Sequence, residues 1–562
     1  IAEIGTNHPG GSFAFIGKLG GGGNVDAKMS AAQVYLRNGG NAAYIVSTSG
    51  GDDSTGRKLK FENGSYIEGH NKDIGFNIQS PDFWNPNVNI GITGNADITF
   101  TGDNNSVYKL QSHVGKLTII NGNDSAGAAF GDDVVAWGTG ANNYGRIHVN
   151  GNKNIVYDAR NIVRDANSKL WLSDVQVGGV DNVIVGLRPG TYFPGDVKIQ
   201  GAIGGGTMPT TTNNIAIFAG NAQGAVPNSA YNSHTTAADA GKMTEPVKVT
   251  VLNVGLGSNS NHSTLVYANN ATQVNVDQAT TTNNSIITDG AEWITGQNGV
   301  HRGYDVKLGA TSENSVIGYA TGGYTGGGIT GVDPTSSSTI NFKSNVDMVS
   351  KNGVVFYTQD GGLITQGQGG AKDTRAGGYH SIIALADGAA TIKNRSAAST
   401  VKIKGNITAA DHVALKDGTT YAGLKADQQA ATYNNIGGVA LNGGQVIIEG
   451  ATKAGSTIEN AASSQSLIYG MAAYAYGKNS KVTYADGKNS TTQASVNVVS
   501  GSRGALWAEN NGTIELTGTG MAGIVGEFTE IHNNNILKTT GDNSTAIIGS
   551  NGTLAQNETS GT

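Results

Sequence analysis

A short apolar-alternating run, an Asn-Gly or Asp-Gly turn and a second alternating run recur through the C-terminal part of this chain at intervals too long for a hairpin meander. Val354-Val355-Phe356 precedes Asp360-Gly361 and Leu363-Ile364, and Ile382-Ile383-Ala384-Leu385 precedes Asp387-Gly388 and Thr391-Ile392. Val413-Ala414-Leu415 precedes Asp417-Gly418, and Val439-Ala440-Leu441 precedes Asn442-Gly443 and Val446-Ile447-Ile448. The turns at 360, 387, 417 and 442 are 27, 30 and 25 residues apart. Such dipeptides normally close hairpins, because Asn and Gly supply positive φ cheaply, but in a meander they would return every 8 to 12 residues or so. A unit of this length with two or three short strands fits one coil of a parallel β-helix, with Asn and Gly at its corners.

The rest of the chain is compatible with that reading. Ile98-Thr99-Phe100, Leu117-Thr118-Ile119-Ile120, Ile155-Val156-Tyr157, Val183-Ile184-Val185, Val197-Lys198-Ile199, Val247-Lys248-Val249-Thr250-Val251 and Leu265-Val266-Tyr267 are β-rich runs bounded by Gly, Asn or Asp. The expected fold is all-β, a parallel β-helix running from about residue 51 to 562 with roughly 20 coils and a length on the order of 100 Å. Insertions are expected at 201–246, 319–339 and 367–379, where Pro, Gly, Ser and Thr interrupt the pattern. Residues 1–50 read as an entry segment or cap with one short helix over 26–37, Asp26 serving as its N-cap and Asn38-Gly39 as its stop.

Composition narrows the chemistry. The 562 residues include 85 Gly, 9 Pro and no Cys, which excludes disulfide scaffolds, Cys-ligated metal sites and collagen. A hydrophobic content of 37% separates the chain from disordered Gly/Asn/Ser/Thr-rich sequences. A net charge of −6 offers no basic stripe for nucleic acid. No run approaches the ~20 apolar residues of a spanning helix. The chain begins at Ile1 rather than Met and reads as a piece of a longer one.

Catalytic and metal motifs are weak. Gly51-Asp52-Asp53-Ser54-Thr55-Gly56 departs from a serine-protease loop, and only His8 precedes it as a base. Gly20-Gly21-Gly22-Gly23 lacks the Gly-Lys-Ser/Thr of a phosphate loop. The 10 His show no metal-binding spacing, and no cofactor is expected. Asp132, Asp133, Arg146 and His148 form the one cluster that a carbohydrate-active enzyme on a β-helix could use. Aromatic rings beside short amides and carboxylates suit sugar recognition better. The candidates are Asp82, Trp84 and Asn85; Trp137 with Asn142, Asn143 and Tyr144; Trp293 with His301 and Tyr304; and Tyr324. The plainer account of each single Trp is a ring packed in or against the rod.

The stretch Gly504-Ala505-Leu506-Trp507-Ala508-Glu509-Asn510-Asn511-Gly512-Thr513-Ile514-Glu515-Leu516-Thr517-Gly518, with the C-terminal unit and the absence of Cys, resembles the passenger domain of single-chain autotransporters. It is similar in particular to the repeats of the large, RadD-like fusobacterial outer-membrane adhesins. The resemblance implies a right-handed β-helix displayed on the bacterial surface by type V secretion, with a membrane-embedded β-barrel beyond Thr562. It also implies non-catalytic attachment to other microbes (coaggregation) or host cells, a virulence trait, through glycan or protein receptors. Missing cysteines suit a chain that crosses the outer membrane unfolded. A polysaccharide lyase or hydrolase, and a stalk presenting a distal binding tip, are the alternatives.

Overall fold

The computed structural model describes the strands and corners of the chain between Ala2 and Asn557; the intervals longer than eight residues outside the described set are 48–56, 80–88, 122–145, 221–248, 323–337, 389–398, 410–434 and 485–498. Among the described residues every regular element is a β-strand or bridge. The strands form three large sheets of 18, 16 and 9 strands, with parallel pairing between successive coils. This is the all-β, parallel β-helix architecture expected from the repeat.

From about residue 339 one coil runs through all three sheets. Val354–Gln359 lies in the 16-stranded second sheet, Leu363–Gln366 in the 9-stranded third and Thr374–Gly377 in the 18-stranded first, before Ile382–Asp387 returns to the second. Asp360-Gly361 and Asn442-Gly443 have φ values of 51° and 81°, and 51° and 89°. They turn the chain from the second sheet to the third instead of closing a hairpin, as their spacing implies.

Nearer the N-terminus the first-sheet strands are long and bent. Arg57–Gly69 pairs with Asn89–Thr101, and the register shifts between Phe61 and Ser65. One coil later Lys116–Asn121 and Ile147–Asn152 share the place of one such strand, both pairing with Asn89–Thr101 and with Lys169–Val180. The interval 122–145 separates these two strands in the chain.

A second corner recurs with greater regularity. Lys72, Asn104, Lys153, Asp181, Asn213, His262, Asn314 and Asn352 all have φ between 49° and 66°. The residue after each of the first seven is a buried polar one, Asp73, Asn105, Asn154, Asn182, Asn214, Ser263 or Ser315. Their side chains form a ladder along the rod: the backbone N–H groups of Asp73, Asn105, Asn154 and Asn182 donate to the Oδ1 of Asn105, Asn154, Asn182 and Asn214 at 2.9, 2.8, 2.8 and 2.7 Å. A corner that must bend cannot pair all its amides in the sheets, and the ladder satisfies those that remain. The steps are 32, 49, 28 and 32 residues, so coil length varies while the corner does not.

Inside, the second sheet stacks like on like. Phe76, Tyr108 and Tyr157 are register neighbours and fully or nearly fully buried, with Phe76 and Tyr108 stacked at 4.8 Å. The sixteen strands described in this sheet between Ser12 and Ser550 lie about 35 residues apart, one per coil, and span roughly 70 Å at the strand spacing. Among the described residues the coils are thus fewer and longer than the expected 20 coils of about 25 residues and 100 Å.

The expected helix over 26–37 is absent. Val25–Ser30 and Gln33–Leu36 are strands, joined across Ala31 at φ 50°. Ala27 and Met29 pack against the core while Lys28 and Ser30 are exposed, and Val34 and Leu36 are fully buried. That period of two places the residues in sheets, where neighbouring coils override their helical propensity. Within the expected insertions, Thr211–Thr212 and Ile215–Gly220 are strands of the first and second sheets, Val316–Thr321 carries Tyr319 in the second, and Thr374–Gly377 belongs to the first.

Candidate functional site

Two outward faces concentrate chemistry. The first is on the second sheet, where Ile215–Gly220, Thr264–Asn269, Val316–Thr321, Val354–Gln359 and Ile382–Asp387 share one pattern of burial: the first and fourth residues are half-buried and the second, third and fifth buried. The fourth positions, Phe218, Tyr267, Tyr319, Tyr357 and Leu385, are register neighbours on successive coils. Tyr267 and Tyr319 stack at 4.8 Å and 11°, Tyr319 and Tyr357 at 4.8 Å and 8°, and Phe218 meets Tyr267 at 5.4 Å and 57°. Beside this ladder runs a second row of Ile215, Thr264, Val316, Val354 and Ile382. The Tyr319 hydroxyl donates to Gln359 Oε1 at 2.9 Å. Burial, then the neighbouring Tyr267 and Tyr357 hydroxyls and the carboxylates of Asp360 and Asp387, push the Tyr319 pKa up.

This stacking limits the ligand. Inside the ladder each ring face is covered by its neighbour, and only edges and hydroxyls point outward. A pyranose that must lie on an aromatic face finds none free between Tyr267 and Tyr357, whereas a protein surface can pack on an apolar strip of edges.

The second face lies on the first sheet near the N-terminal end. Alternation along Gln33–Leu36, Arg57–Gly69 and Asn89–Thr101 puts Tyr35, Glu68 and Thr99 in one register row. Glu68 is the hub. Its Oε1 accepts from Arg37 Nη2 at 3.2 Å and from His70 Nε2 at 2.8 Å, and its Oε2 accepts from Tyr66 at 3.0 Å. His70 Nδ1 in turn meets Thr101 Oγ1 at 2.8 Å. Tyr66 lies edge-on to Tyr35 at 6.0 Å, and the Arg37 guanidinium sits 5.9 Å from the Tyr35 ring centre. Burial acts to raise the Glu68 pKa, but donation from His70, Tyr66 and Arg37 outweighs it and holds the carboxyl below its ordinary value. Tyr66 is raised by burial and by its bond to that carboxylate.

A carboxylate held below its ordinary pKa stabilises the fold above the unfolded value of about 4.3, and the contribution is lost as pH falls through the folded value. Glu68→Gln is therefore expected to be less stable than the parent by about 1 kcal/mol at pH 7, with the gap closing between about pH 5 and pH 3. Paired urea melts across that range check it, and a constant gap would refute the assignment.

The residues singled out from sequence fare unevenly. Trp293 and Tyr304 are cross-strand partners in a two-stranded antiparallel hairpin of Ala291–Thr295 and His301–Val306, where His301 pairs with Thr295. The three are thus brought together on an element that forms its own sheet, apart from the three large ones. Asp82, Trp84, Asn85, Trp137, Asn142, Asn143, Tyr144 and Tyr324 lie outside the described residues, as do Asp132 and Asp133. Arg146 and His148 sit at the start of the first-sheet strand Ile147–Asn152, with His148 beside Thr99 in register. No group of three or more His, Cys, Asp or Glu side chains that could hold a metal occurs among the described residues. Neither the Glu68 hub nor the tyrosine ladder stands out in the linear sequence: the ladder is assembled one residue per coil, and the hub joins Tyr66, Glu68 and His70 of one coil to Arg37 of the coil before and Thr101 of the coil after.

Comparison with protein-family models, with curated proteins and with solved structures finds no match for this chain.

Proposed function

We propose that this chain is the rod of a cell-surface adhesin, an autotransporter passenger exported by a β-barrel outside it, that attaches a bacterium to other microbes or to host cells. The observation that carries the reading is the aromatic and aliphatic strip on the outer face of the second sheet. A strip that repeats coil after coil offers many equivalent weak contacts, and multivalent engagement of that kind holds cells together without catalysis. Because the ladder presents ring edges, the strip favours a protein receptor over a glycan. Glycan contact is assigned to the antiparallel strands Ala291–Thr295 and His301–Val306, where Trp293 and Tyr304 are register partners.

The test uses cells displaying the chain. Tyr267→Ser, Tyr319→Ser and Tyr357→Ser combined are expected to lower attachment at least tenfold while leaving surface display and the far-UV spectrum unchanged. Protease treatment of the target cells should abolish attachment, whereas periodate oxidation of their glycans should reduce it only in part. Full attachment by the triple variant would overturn the assignment of the strip, and a complete loss after periodate alone would transfer the binding to glycan.

A further inference from the structure

We propose that Thr101, His70 and Glu68 form an acyl-transfer site that hydrolyses short-chain esters, an activity independent of attachment. The three side chains make a continuous hydroxyl, imidazole and carboxylate chain, with 2.8 Å between Thr101 Oγ1 and His70 Nδ1 and 2.8 Å between His70 Nε2 and Glu68 Oε1. A nucleophile, a base within hydrogen-bond reach and a third group that orients the base are what covalent acyl transfer requires, and the arrangement is recognised by geometry rather than by sequence order.

The protonation pattern follows from the partners. Ionised Glu68 can only accept, so Nε2 carries the proton of neutral His70 and donates it to Oε1. Nδ1 then has a free lone pair, and the Thr101 hydroxyl donates to it. Tyr66 and Arg37 occupy further acceptor positions of the carboxylate, which fixes its plane and keeps it charged. The backbone behind the imidazole is fixed as well: His70 N–H donates to Asp73 Oδ2 at 2.6 Å, and Asp73 N–H donates back to the His70 carbonyl at 3.0 Å. The His70 side chain is 39% exposed and that of Glu68 24%, so a solute can reach the base while the carboxylate is shielded. Pre-organisation of this kind is what separates a working base from a surface histidine.

In the first half-reaction Thr101 Oγ1 attacks the ester carbonyl carbon and forms the new C–O bond, its proton passing to His70 Nδ1. The bond to the alcohol oxygen breaks with its electron pair, and that oxygen takes the proton from Nδ1. The products are an acyl ester on Thr101 and a free alcohol. Water then attacks the acyl carbon by the same proton route, releasing a carboxylic acid and restoring the hydroxyl. Ester and water give acid and alcohol, with no change of oxidation state. Glu68 acts as a positioning residue that stabilises the transient imidazolium. The site lies on an outward sheet face, so small acyl groups on accessible alcohols, such as O-acetyl esters, are the substrate class.

The whole chain is incubated with p-nitrophenyl acetate. Turnover is expected at about 10² to 10⁴ times the buffer rate, together with one acetyl group on the peptide that contains Thr101, read by mass spectrometry. Thr101→Val keeps the shape and β-propensity of the side chain and should remove both signals; His70→Asn should do the same. Glu68→Gln should retain a slow acylation but lower kcat at least tenfold and displace the pH profile, a change that a merely structural role would not produce. Circular dichroism of each variant verifies folding. Unchanged turnover in Thr101→Val, or acetyl groups on lysines alone, would overturn the proposal.

Discussion

Replacing Gly179 with alanine is expected to cost about 3 to 5 kcal/mol, one of the two largest effects among single substitutions considered for this chain. Gly179 has φ +100°, where an L side chain is strained by about 1 to 3 kcal/mol. Its Cβ would also be driven into the carbonyl oxygen of Gly151, its register neighbour one coil below. The obstacle is backbone, held on both sides by parallel pairing, so it cannot swing away as a long side chain could. Gly186 provides the control. There an added Cβ meets Ile155, Val183 and Tyr157 atoms at 3.6 to 3.7 Å, ordinary contact distances, and Gly186→Ala should be neutral or stabilising by a few tenths of a kcal/mol. Urea denaturation compares the two, and hydrogen exchange across 175–187 reports where the weaker protein opens. In a solenoid the damage should centre on the coils flanking residue 179, since each coil touches only its neighbours. Equal stability of the two variants would contradict the close coil-to-coil approach at Gly151 and Gly179.

The architecture was legible where the chain punctuates itself. Asp360-Gly361 and Asn442-Gly443 declare positive φ, and their separation forbids a hairpin, so a coil follows from local chemistry plus spacing. The N-terminal corner was harder to read because its left-handed position is filled by Lys72, Asn104, Lys153, Asp181, Asn213 or His262, and Lys gives no such signal. What those corners do share is the next residue, Asn or Ser in most coils, followed by a β-branched residue or Ser and, three positions later in the central coils, by the outward Phe218, Tyr267, Tyr319 or Tyr357. That compound pattern was present in the sequence as a weak repeat of variable length. The helix assigned over 26–37 failed for the converse reason: Ala27, Lys28, Met29, Leu36 and Arg37 are good helix formers, and only the neighbouring coils make their alternation decisive. The Glu68 hub was out of reach because Tyr66, Glu68 and His70, close in sequence, find Arg37 and Thr101 only on the coils before and after. Arg37 and Glu68 are separated by 31 residues, as are His70 and Thr101, and no residue type reports the local pitch until the strands are in register.

The buried amide ladder makes the other large prediction. Asn182 is 1% exposed and its side chain ties its own coil to the preceding one: its Oδ1 accepts from Asn154 N–H at 2.8 Å, and its Nδ2 donates to the carbonyls of Gly151 at 2.9 Å and Gly178 at 3.0 Å. Asn182→Leu keeps nearly the same volume and removes all three, so one amide and two carbonyls lose side-chain partners inside the protein. At about 1 to 3 kcal/mol for each unsatisfied group, with carbonyls at the lower end because they have two lone pairs, the expected loss is about 3 to 5 kcal/mol. The ladder itself shows what each position demands. At its head Asp73 faces the N–H groups of Gly39, Gly40 and His70, three donors, and a carboxylate suffices. At Asn182 donors and acceptors are mixed, and only an amide answers both; Asn182→Asp is therefore expected to retain the bond from Asn154 and still be destabilised, because its oxygens confront the two carbonyls. Gly151 O is also the atom that a Cβ at residue 179 would strike. Gly179→Ala and Asn182→Leu thus damage one corner from two sides, and their combined cost should fall short of the sum by 1 kcal/mol or more in a double-mutant cycle. Strict additivity would mean that the glycine column and the amide ladder stabilise the corner separately.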